Sequence, residues 1–326
     1  MVSRRKILLA APALMACSMP LAARAAGSGD YPNRLVKIII ANPPGGDDDT
    51  LSRWLAETMT AELGQPVIVE NRGGGATTVG GYTVASADPD GYTILCLTTS
   101  GIVQTVLRDN LQYGLDDFAP ILGIGGYPVA LVVSEASNIT TIDELAAVAK
   151  SPDGITFASG GVGALAHLTA VRFLKEIKGT GVHVPHRNNP EGLQALAGGF
   201  TQMMFPSARE AGNLRADGHL RVLAVTSEER TSNLPDVPTM RELGFPSINT
   251  SLWYGYMAPA GTPPEVVARL TEVISKGVQD QKFQDRFGPL AFRTDLRTGK
   301  ALTDFMTSEA ERWRTVIVEN NIKITD

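Results

Sequence analysis

Apolar runs of strand length alternate with longer amphipathic stretches along almost the whole chain. The first run, LVKIIIA at residues 35–41, precedes a stretch whose apolar positions recur at helical spacing from Leu51 to Leu63. Gly64 then gives a helix stop. Further strand predictions are PVIVEN, DPDGYTILCLTT, VALVVSE, ITFASGG, RVLAVTS and YGYMAP, and further helix predictions are TIDELAAVAKSP and TPPEVVARLTEVISKGVQD. This alternation predicts α/β layers with a largely parallel sheet.

Two strand-to-helix connections are rich in glycine and lie about a hundred residues apart. The first, NPPGGDDDTLSRW at residues 42–54, carries three consecutive aspartates at a predicted helix start. The second is ITFASGGVGALAHL at residues 155–168. In open α/β sheets, ligands bind beyond the carboxyl ends of the strands, where helix N-termini present free backbone N–H groups. The two turns are therefore predicted to hold one small anion from two sides.

The aspartates Asp47, Asp48 and Asp49 allow three interpretations. Aspartate is a preferred N-cap, so one capping aspartate with two solvated neighbours is the simplest. The carboxylates could instead select the ligand, or they could hold Mg²⁺ or Ca²⁺. Consecutive residues at a helix start point in different directions and no D-x-D-x-D-G loop follows, so we predict no metal site.

Other motifs of catalysis and cofactor binding are weak or absent from the sequence. Residues 161–166 fit the spacing G-x-G-x-x-A, but His183 and His186 stand where a dinucleotide site needs an acid. The sequence contains no phosphate loop, H-E-x-x-H or G-x-S-x-G motif. We therefore predict no catalytic residue and no cofactor. His167 either faces the ligand or simply caps or packs, whereas His183 and His186 are expected to be solvated loop histidines.

The first 25 residues have the organisation of an export signal, with a basic start, a short apolar run and a small-x-small site at residues 23–25. Its removal takes the net charge from −5 to −9, because the segment holds four cations and no acids. An acidic mature chain argues against a nucleic-acid partner. We expect soluble release into the periplasm, with a lipid anchor on Cys17 as a minor alternative. Cys96 is then the remaining cysteine and is predicted to be a buried apolar residue.

Several motifs in a fixed order resemble the periplasmic substrate-binding proteins of tripartite tricarboxylate transporters, often called the Bug family. These motifs are PPGG with Asp49, LGQPVIVENRGGG, DPDGYTIL, DDFAPI, LAVTSEERTSNLPDVPTMRELGFP and APAGTPPEVVARL. The resemblance covers residues 31–322. It implies a two-lobed type II periplasmic binding protein fold with the ligand cleft between the lobes. The expected first lobe comprises residues 31–127 and 246–326, and the second comprises residues 128–245.

The resemblance also implies a function. An exported solute-binding receptor, not an enzyme, would capture a small organic acid or a related metabolite and deliver it to integral membrane transporter subunits. Two alternatives stay open: a sensory solute-binding partner of a signalling receptor, and a metal-dependent hydrolase that uses residues 47–49.

Family motifs place the ligand at the two glycine turns and at the end of the third strand. The ligand-binding residues implied are Pro44, Gly45, Gly46, Asp47, Asp48, Thr98, Thr99, Ser159, Gly161, Val162, Gly163 and His167. Asp49 matches the family's usual acid and is expected to cap the helix. Asp47, Asp48, Val162 and residues 164–166 depart from the pattern, since they add charge to one turn and remove polar groups from the other. These departures predict a neutral, zwitterionic or aromatic ligand with few charges.

Overall fold

The apolar runs predicted as strands form two separate sheets in a computed structural model of the protein, which describes residues 31–215 and 218–323. The predicted export signal and Cys17 lie outside the described residues. The strands are β1 (Val36–Ile40), β2 (Val67–Asn71), β3 (Thr93–Thr98), β4 (Phe118–Pro128), β5 (Ala130–Ser134), β6 (Ile155–Ser159), β7 (Gly181–Pro185), β8 (Met203–Met204), β9 (Leu220–Val225), β10 (Ser251–Pro259) and β11 (Arg293–Arg297).

The amphipathic stretches form helices that cover the sheets. These helices are α1 (Asp47–Leu63), α2 (Thr78–Ala85), α3 (Thr99–Leu107), α4 (Ile142–Ala149), α5 (Leu165–Glu176), α6 (Asn189–Ala197), α7 (Ala208–Arg215), α8 (Pro264–Gln279), α9 (Gln281–Phe287) and α10 (Gly299–Glu319). Every strand and helix predicted from hydrophobic periodicity is confirmed. Within the described residues, no helix combines the length and the apolar character needed to cross a membrane.

Both sheets are mixed, so the expectation of a largely parallel sheet is wrong. The six-stranded sheet has the order β11-β4-β10-β3-β1-β2, in which β1 runs parallel to β2 and β3 while β10 runs antiparallel to β3 and β4. The five-stranded sheet has the order β7-β6-β8-β5-β9, in which β6 is parallel and β5 antiparallel to its neighbours. The long strands β4 and β10 run in opposite directions as the chain leaves and re-enters the first sheet. Periodicity within one strand carries no information about the direction of its neighbour.

Each sheet with its helices forms one lobe of a two-lobed fold. The chain passes to the second sheet between Pro128, where β4 ends, and Ala130, where β5 begins. It returns between β9 and β10. The lobe boundaries expected from the sequence, at residues 127–128 and 245–246, remain our proposal for the two crossings.

Helix α1 shows how the fold positions the end of a helix at the cleft. Its buried Leu51 and Leu55 lie in the same core cluster as β1 residues, and each fully buried leucine side chain contributes roughly 1.5–3 kcal/mol. Gly64 ends the helix in the left-handed conformation, with a φ of 66° that lets its N–H reach the Thr60 carbonyl. Cys96 on β3 is buried as predicted, and burial raises the pKa of its thiol. The packing of Leu51 and Leu55 against the same core as β1 holds the first turn of α1 beyond the carboxyl end of that strand.

Candidate functional site

One cleft receives residues from both lobes beyond the carboxyl ends of β1, β3 and β6. Its volume is about 630 Å³, including the space open to solvent. Its lining residues are Asn42, Pro43, Gly46, Asp47, Asp48, Ala76, Thr77, Thr98, Ser100, Gly160, Ala164, Asn188, Asn189, Pro190, Glu210, Leu252 and Tyr254. A cleft formed jointly by two lobes is the candidate ligand site.

The first turns of several helices meet at this cleft. Gly46, Thr98, Ala164 and Asn188 line it and are the N-caps of α1, α3, α5 and α6, and Glu210 lies in the first turn of α7. Helix N-termini carry free N–H groups and the positive end of the helix dipole. The cleft can therefore accept a small anionic group such as a carboxylate.

Asp47 joins the two lobes through an ion pair. Its Oδ1 accepts a hydrogen bond from Nε of Arg209 on α7, and its Oδ2 lies 3.4 Å from the Tyr254 hydroxyl. The Asp47 side chain is 4% exposed and the Arg209 side chain 13%. Because the guanidinium belongs to the second lobe, the charge of Asp47 is balanced from across the cleft.

Asp48 has only uncharged donors. Asn42 Nδ2 donates to its Oδ2 at 2.7 Å, and the backbone N–H of Asp49 donates to its Oδ1 at 3.0 Å. Burial raises the pKa of Asp48 to about 6, and the nearby charges of Asp47 and Asp49 act in the same direction. This carboxyl group therefore titrates close to neutral pH.

Asp49 points away from the cleft and reaches back over the turn. It accepts hydrogen bonds from the Gly45 N–H at 3.1 Å, from Arg53 Nε at 3.1 Å and from Asn71 Nδ2 at 3.0 Å. Burial alone would raise its pKa, but these donors outweigh burial and lower it. Asp49 thus holds the turn rather than the ligand.

The structure corrects the capping prediction. Gly46 is the N-cap of α1, so all three aspartates fall inside the first helical turn. They are 5%, 4% and 5% exposed, so the picture of one capping aspartate with solvated neighbours is wrong. The helix begins at Asp47, three residues earlier than it would with the expected cap Asp49, and Gly45 turns the chain before it at a φ of 98°. Within residues 31–215 and 218–323, no group of three or more His, Cys, Asp or Glu side chains is arranged to hold a metal ion.

Glu210 is a lining residue that the sequence reasoning missed. It is 7% exposed, and its Oε2 accepts hydrogen bonds from the N–H and the hydroxyl of Ser207, both at 3.2 Å. Among the described residues, none donates a hydrogen bond to its Oε1. Burial raises the pKa of Glu210 well above its usual range, Asp47 adds to the shift and Arg209 opposes it. A glutamate in a polar helical segment is normally solvated, so no local pattern indicates that Glu210 is buried at the cleft.

Thr77 is a second missed residue. It lies in the loop after the glycine run of residues 73–75, and both Ala76 (φ 54°) and Thr77 (φ 85°) have left-handed backbone conformations. Such a conformation is rare for a β-branched residue, and strain of this kind is often found at functional sites. Thr77 is 5% exposed, and its Oγ1 has no hydrogen-bond partner in the described part of the chain. The glycine run was a visible signal for this loop.

The second glycine turn contacts the first lobe. Gln104 Nε2 on α3 donates to the Val162 carbonyl at 3.2 Å, and the Leu165 N–H donates to Ser100 Oγ at 3.2 Å. Gly160 and Ala164 of this turn line the cleft. The turn therefore contributes both a wall of the cleft and a bridge between the lobes.

The histidines form a stack on the far side of this turn. The His167 ring lies 3.9 Å from the His183 ring and its Nδ1 accepts a hydrogen bond from the Gly163 N–H, while His183 Nε2 lies 2.6 Å from Ser159 Oγ. Burial lowers the pKa of His167 to about 4 and that of His183 to about 3. The expectation that His183 is a solvated loop residue is wrong, because the side chain is half-buried on β7. His186 is also half-buried.

The residues expected at the ligand are divided among different surroundings. Four line the cleft: Gly46, Asp47, Asp48 and Thr98. Pro44 and Gly161 line an adjoining cavity that shares residues such as Asn42 and Thr77 with the cleft, and Val162 and His167 line a separate groove. Outside the lining of the cleft are also Gly45, Thr99, Ser159 and Gly163. A ligand role for these residues stays a prediction.

Comparisons with known proteins identify relatives along most of the chain. The family model described as "Tripartite tricarboxylate transporter family receptor" matches residues 51–322. Protein BugT of Bordetella pertussis is 31% identical over 298 residues, which cover 90% of this chain and 91% of that protein. The structure of the periplasmic binding protein BugD has a TM-score of 0.83 at 30% identity and covers 90% of this chain and 99% of its own. MatC from Rhodopseudomonas palustris, solved with bound malate, has a TM-score of 0.80 at 27% identity and covers 88% of this chain and 100% of its own.

Proposed function

The chain belongs to the tripartite tricarboxylate transporter family of receptors, and from this premise we propose that it is an exported receptor that captures a small organic acid or related metabolite and delivers it to a membrane transporter. Members of this family are periplasmic solute-binding proteins, which supports the periplasm as the site of action. The observation that carries the proposal is the cleft, to which both lobes contribute the first turns of helices.

Closure of the two lobes around the ligand is the expected working cycle. The Asp47–Arg209 pair and the bonds from Gln104 and Leu165 to the opposite lobe exist only while the lobes are together. A ligand that touches both lobes adds contacts that the open state lacks, so it shifts the population towards the closed state. A transporter can then distinguish the filled receptor by its shape.

The proposed position of a ligand carboxylate is the uncharged side of the cleft. Thr98, Ser100, Ala164 and Asn188 lie there at the starts of α3, α5 and α6. Backbone N–H groups at these starts can donate to carboxylate oxygens. The malate bound by MatC shows that a related receptor takes a carboxylic acid, which supports the same class here.

Native mass spectrometry and small-angle scattering test this proposal. Protein isolated gently from its own periplasm is expected to carry a small molecule that is lost on unfolding and washing. The washed, refolded protein is expected to have a larger radius of gyration, and adding the recovered small-molecule fraction back should reduce it again. A protein that carries no small molecule, and whose radius does not change on adding a periplasmic small-molecule extract, would contradict the receptor function.

A further inference from the structure

The cleft has two chemically different sides. The side formed by Thr98, Ser100, Ala164 and Asn188 carries no ionisable group. The side formed by the first turns of α1 and α7 carries three buried carboxyl groups, those of Asp47, Asp48 and Glu210. A symmetric dicarboxylate would find a suitable environment for one of its ends only.

The acidic side has fewer cations than carboxyl groups. Arg209 pairs with Asp47, and among the described lining residues of the cleft none is a lysine, arginine or histidine. Asp48 receives its hydrogen bonds from Asn42 and a backbone N–H, and Glu210 receives its bonds from Ser207. Two of the three carboxyl groups therefore have no cationic partner within the described residues.

Two polar atoms at the cleft, Glu210 Oε1 and the buried Thr77 Oγ1, have no hydrogen-bond partner among the described residues. Glu210 is more than nine-tenths buried, yet hydrogen bonds from the described residues reach its Oε2 alone. Thr77 is equally buried and lines the same cleft, and its Oγ1 has no bond in the described chain. Buried polar groups are almost always hydrogen-bonded, so such atoms at the wall of a cleft indicate a ligand that completes them.

We propose that the side of the cleft formed by Asp47, Asp48 and Glu210 binds a cationic group, so that the ligand of the proposed receptor is an amino-acid-like molecule with a carboxylate at one end and an amine at the other. This inference rests on the proposed receptor function and specifies its ligand class. An ammonium group provides three N–H donors, and Glu210 Oε1 is an acceptor that receives no hydrogen bond from the described residues. Hydrogen bonds between ionised partners are about twice as strong as neutral ones.

A second carboxylate on the ligand would meet the opposite situation. It would lie beside Asp48 and Glu210, which would either repel it in their ionised form or have to take up protons to receive it. Arg209 cannot pair with this second carboxylate without leaving Asp47 buried and unpaired. The acidic side therefore discriminates against dicarboxylates as well as favouring amines.

Isothermal titration calorimetry with matched acids tests the inference. The probes are succinate, glutarate and adipate, each paired with the acid in which one carboxylate is replaced by an aminomethyl group: γ-aminobutyrate, δ-aminovalerate and ε-aminocaproate. At least one amino acid is expected to bind roughly tenfold or more tightly than its paired dicarboxylate.

Two variants connect the preference to the acidic side. Glu210→Gln keeps an acceptor for Ser207 but removes the charge. It should weaken amino-acid binding by roughly tenfold and reduce the ratio of affinities between each amino acid and its paired dicarboxylate. Glu228→Gln is the matched control, since Glu228 is exposed and lies in the same lobe. It should bind all six acids like the unaltered protein.

The outcomes separate this inference from the receptor function. Equal or tighter binding of the dicarboxylates, with Glu210→Gln unchanged in preference, would overturn the cationic ligand and leave the receptor function intact. Binding of none of the six acids to folded protein would also overturn it, because a binder in this class is required. The receptor function is then judged by the molecule retained from the periplasm.

Discussion

Helices α1 and α5 both begin after a strand and a glycine turn at the same cleft, yet their first turns have opposite chemistry. The first turn of α1 holds three buried aspartates, whereas that of α5 begins with the buried apolar residues Leu165 and Ala166. The glycines set the path of the backbone in both places. The residues after the glycines decide which chemical group of a ligand each turn can meet.

The two turns also join the lobes differently. The first turn does so through charge, because Asp47 pairs with Arg209 of the second lobe. The second turn does so through neutral groups, the Val162 carbonyl and the Leu165 N–H, with Gln104 and Ser100 as partners. Charged and neutral bridges respond differently to substitution, and this difference can be tested.

The largest effect is expected when the charged bridge is broken. Arg209→Met leaves the buried Asp47 without its cation, and breaking a buried pair lowers the free energy of unfolding by roughly 3 kcal/mol. Urea unfolding measures this loss, and small-angle scattering shows whether the lobes separate to hydrate Asp47. The further change Asp47→Asn should restore much of the loss, because it removes the orphaned charge.

Arg215→Met on the same helix is the control for this prediction. Arg215 forms an ion pair with Asp236, with side chains 40% and 61% exposed, so its removal should change stability little. If Arg209→Met were as stable and as compact as Arg215→Met, the charged bridge would have no part in holding the lobes.

A smaller effect is expected when the neutral bridge is disturbed. A methyl group on Gly163 would contact the Leu107 side chain and lie 2.7 Å from Gln104 Nε2, so Gly163→Ala should displace Gln104 from the Val162 carbonyl. Loss of that bond, worth about 1 kcal/mol, should weaken binding of the tightest acid by roughly fivefold. Calorimetry measures the change.

Gly161→Ala separates this contact from backbone strain. Both glycines have positive φ values, 124° at Gly161 and 78° at Gly163, so an alanine at either position strains the turn. A methyl group on Gly161 meets no atom closer than 3.7 Å and touches no part of α3. Binding should therefore fall more in Gly163→Ala than in Gly161→Ala, and the reverse order would show that strain rather than the bridge controls closure.

The smallest effect concerns a helix start on the uncharged side. The Asn188 side chain accepts the Glu191 N–H at 2.9 Å, so Asn188→Ala should lower the free energy of unfolding by about 1 kcal/mol. Thr141→Ala removes the cap of α4, which is outside the cleft lining, and should lower the free energy of unfolding by a similar amount. Only Asn188→Ala should also weaken binding, by roughly twofold. Equal binding by both variants would remove the start of α6 from the carboxylate site.

Local signals in the sequence predicted much of the fold. The period of the apolar positions, together with Gly64, predicted α1, and the glycine turns correctly marked two helix starts at the cleft. These features depend on neighbours within a few residues. The direction of β4 and β10 does not depend on near neighbours, because it is determined by where the chain crosses between the two sheets.

The residues that were missed act over long distances along the chain. Arg209 lies 162 residues from Asp47, so no pattern near either residue could reveal that they form a pair. Glu210 is buried only because α7 packs its first turn against the cleft. The run of three aspartates is visible in the sequence, but the different environment of each one depends on its partner: Arg209 for Asp47, Asn42 for Asp48 and Arg53 for Asp49.

The direction of proton exchange on binding tests the central claim most directly. Asp48 has a pKa of about 6, and the pKa of Glu210 is raised by burial and by Asp47 and lowered by Arg209, so both groups are partly protonated near neutral pH. A ligand ammonium group lowers these pKa values and releases protons, so affinity for the amine should rise with pH. An added carboxylate raises the pKa values and takes protons up.

Calorimetry at neutral pH in two buffers of different ionisation enthalpy counts these protons. We predict release when the tightest of γ-aminobutyrate, δ-aminovalerate and ε-aminocaproate binds, and a clearly smaller release in Glu210→Gln. Proton uptake, or no exchange, on binding of that amino acid would contradict a cleft whose acidic side receives the cationic end of its ligand.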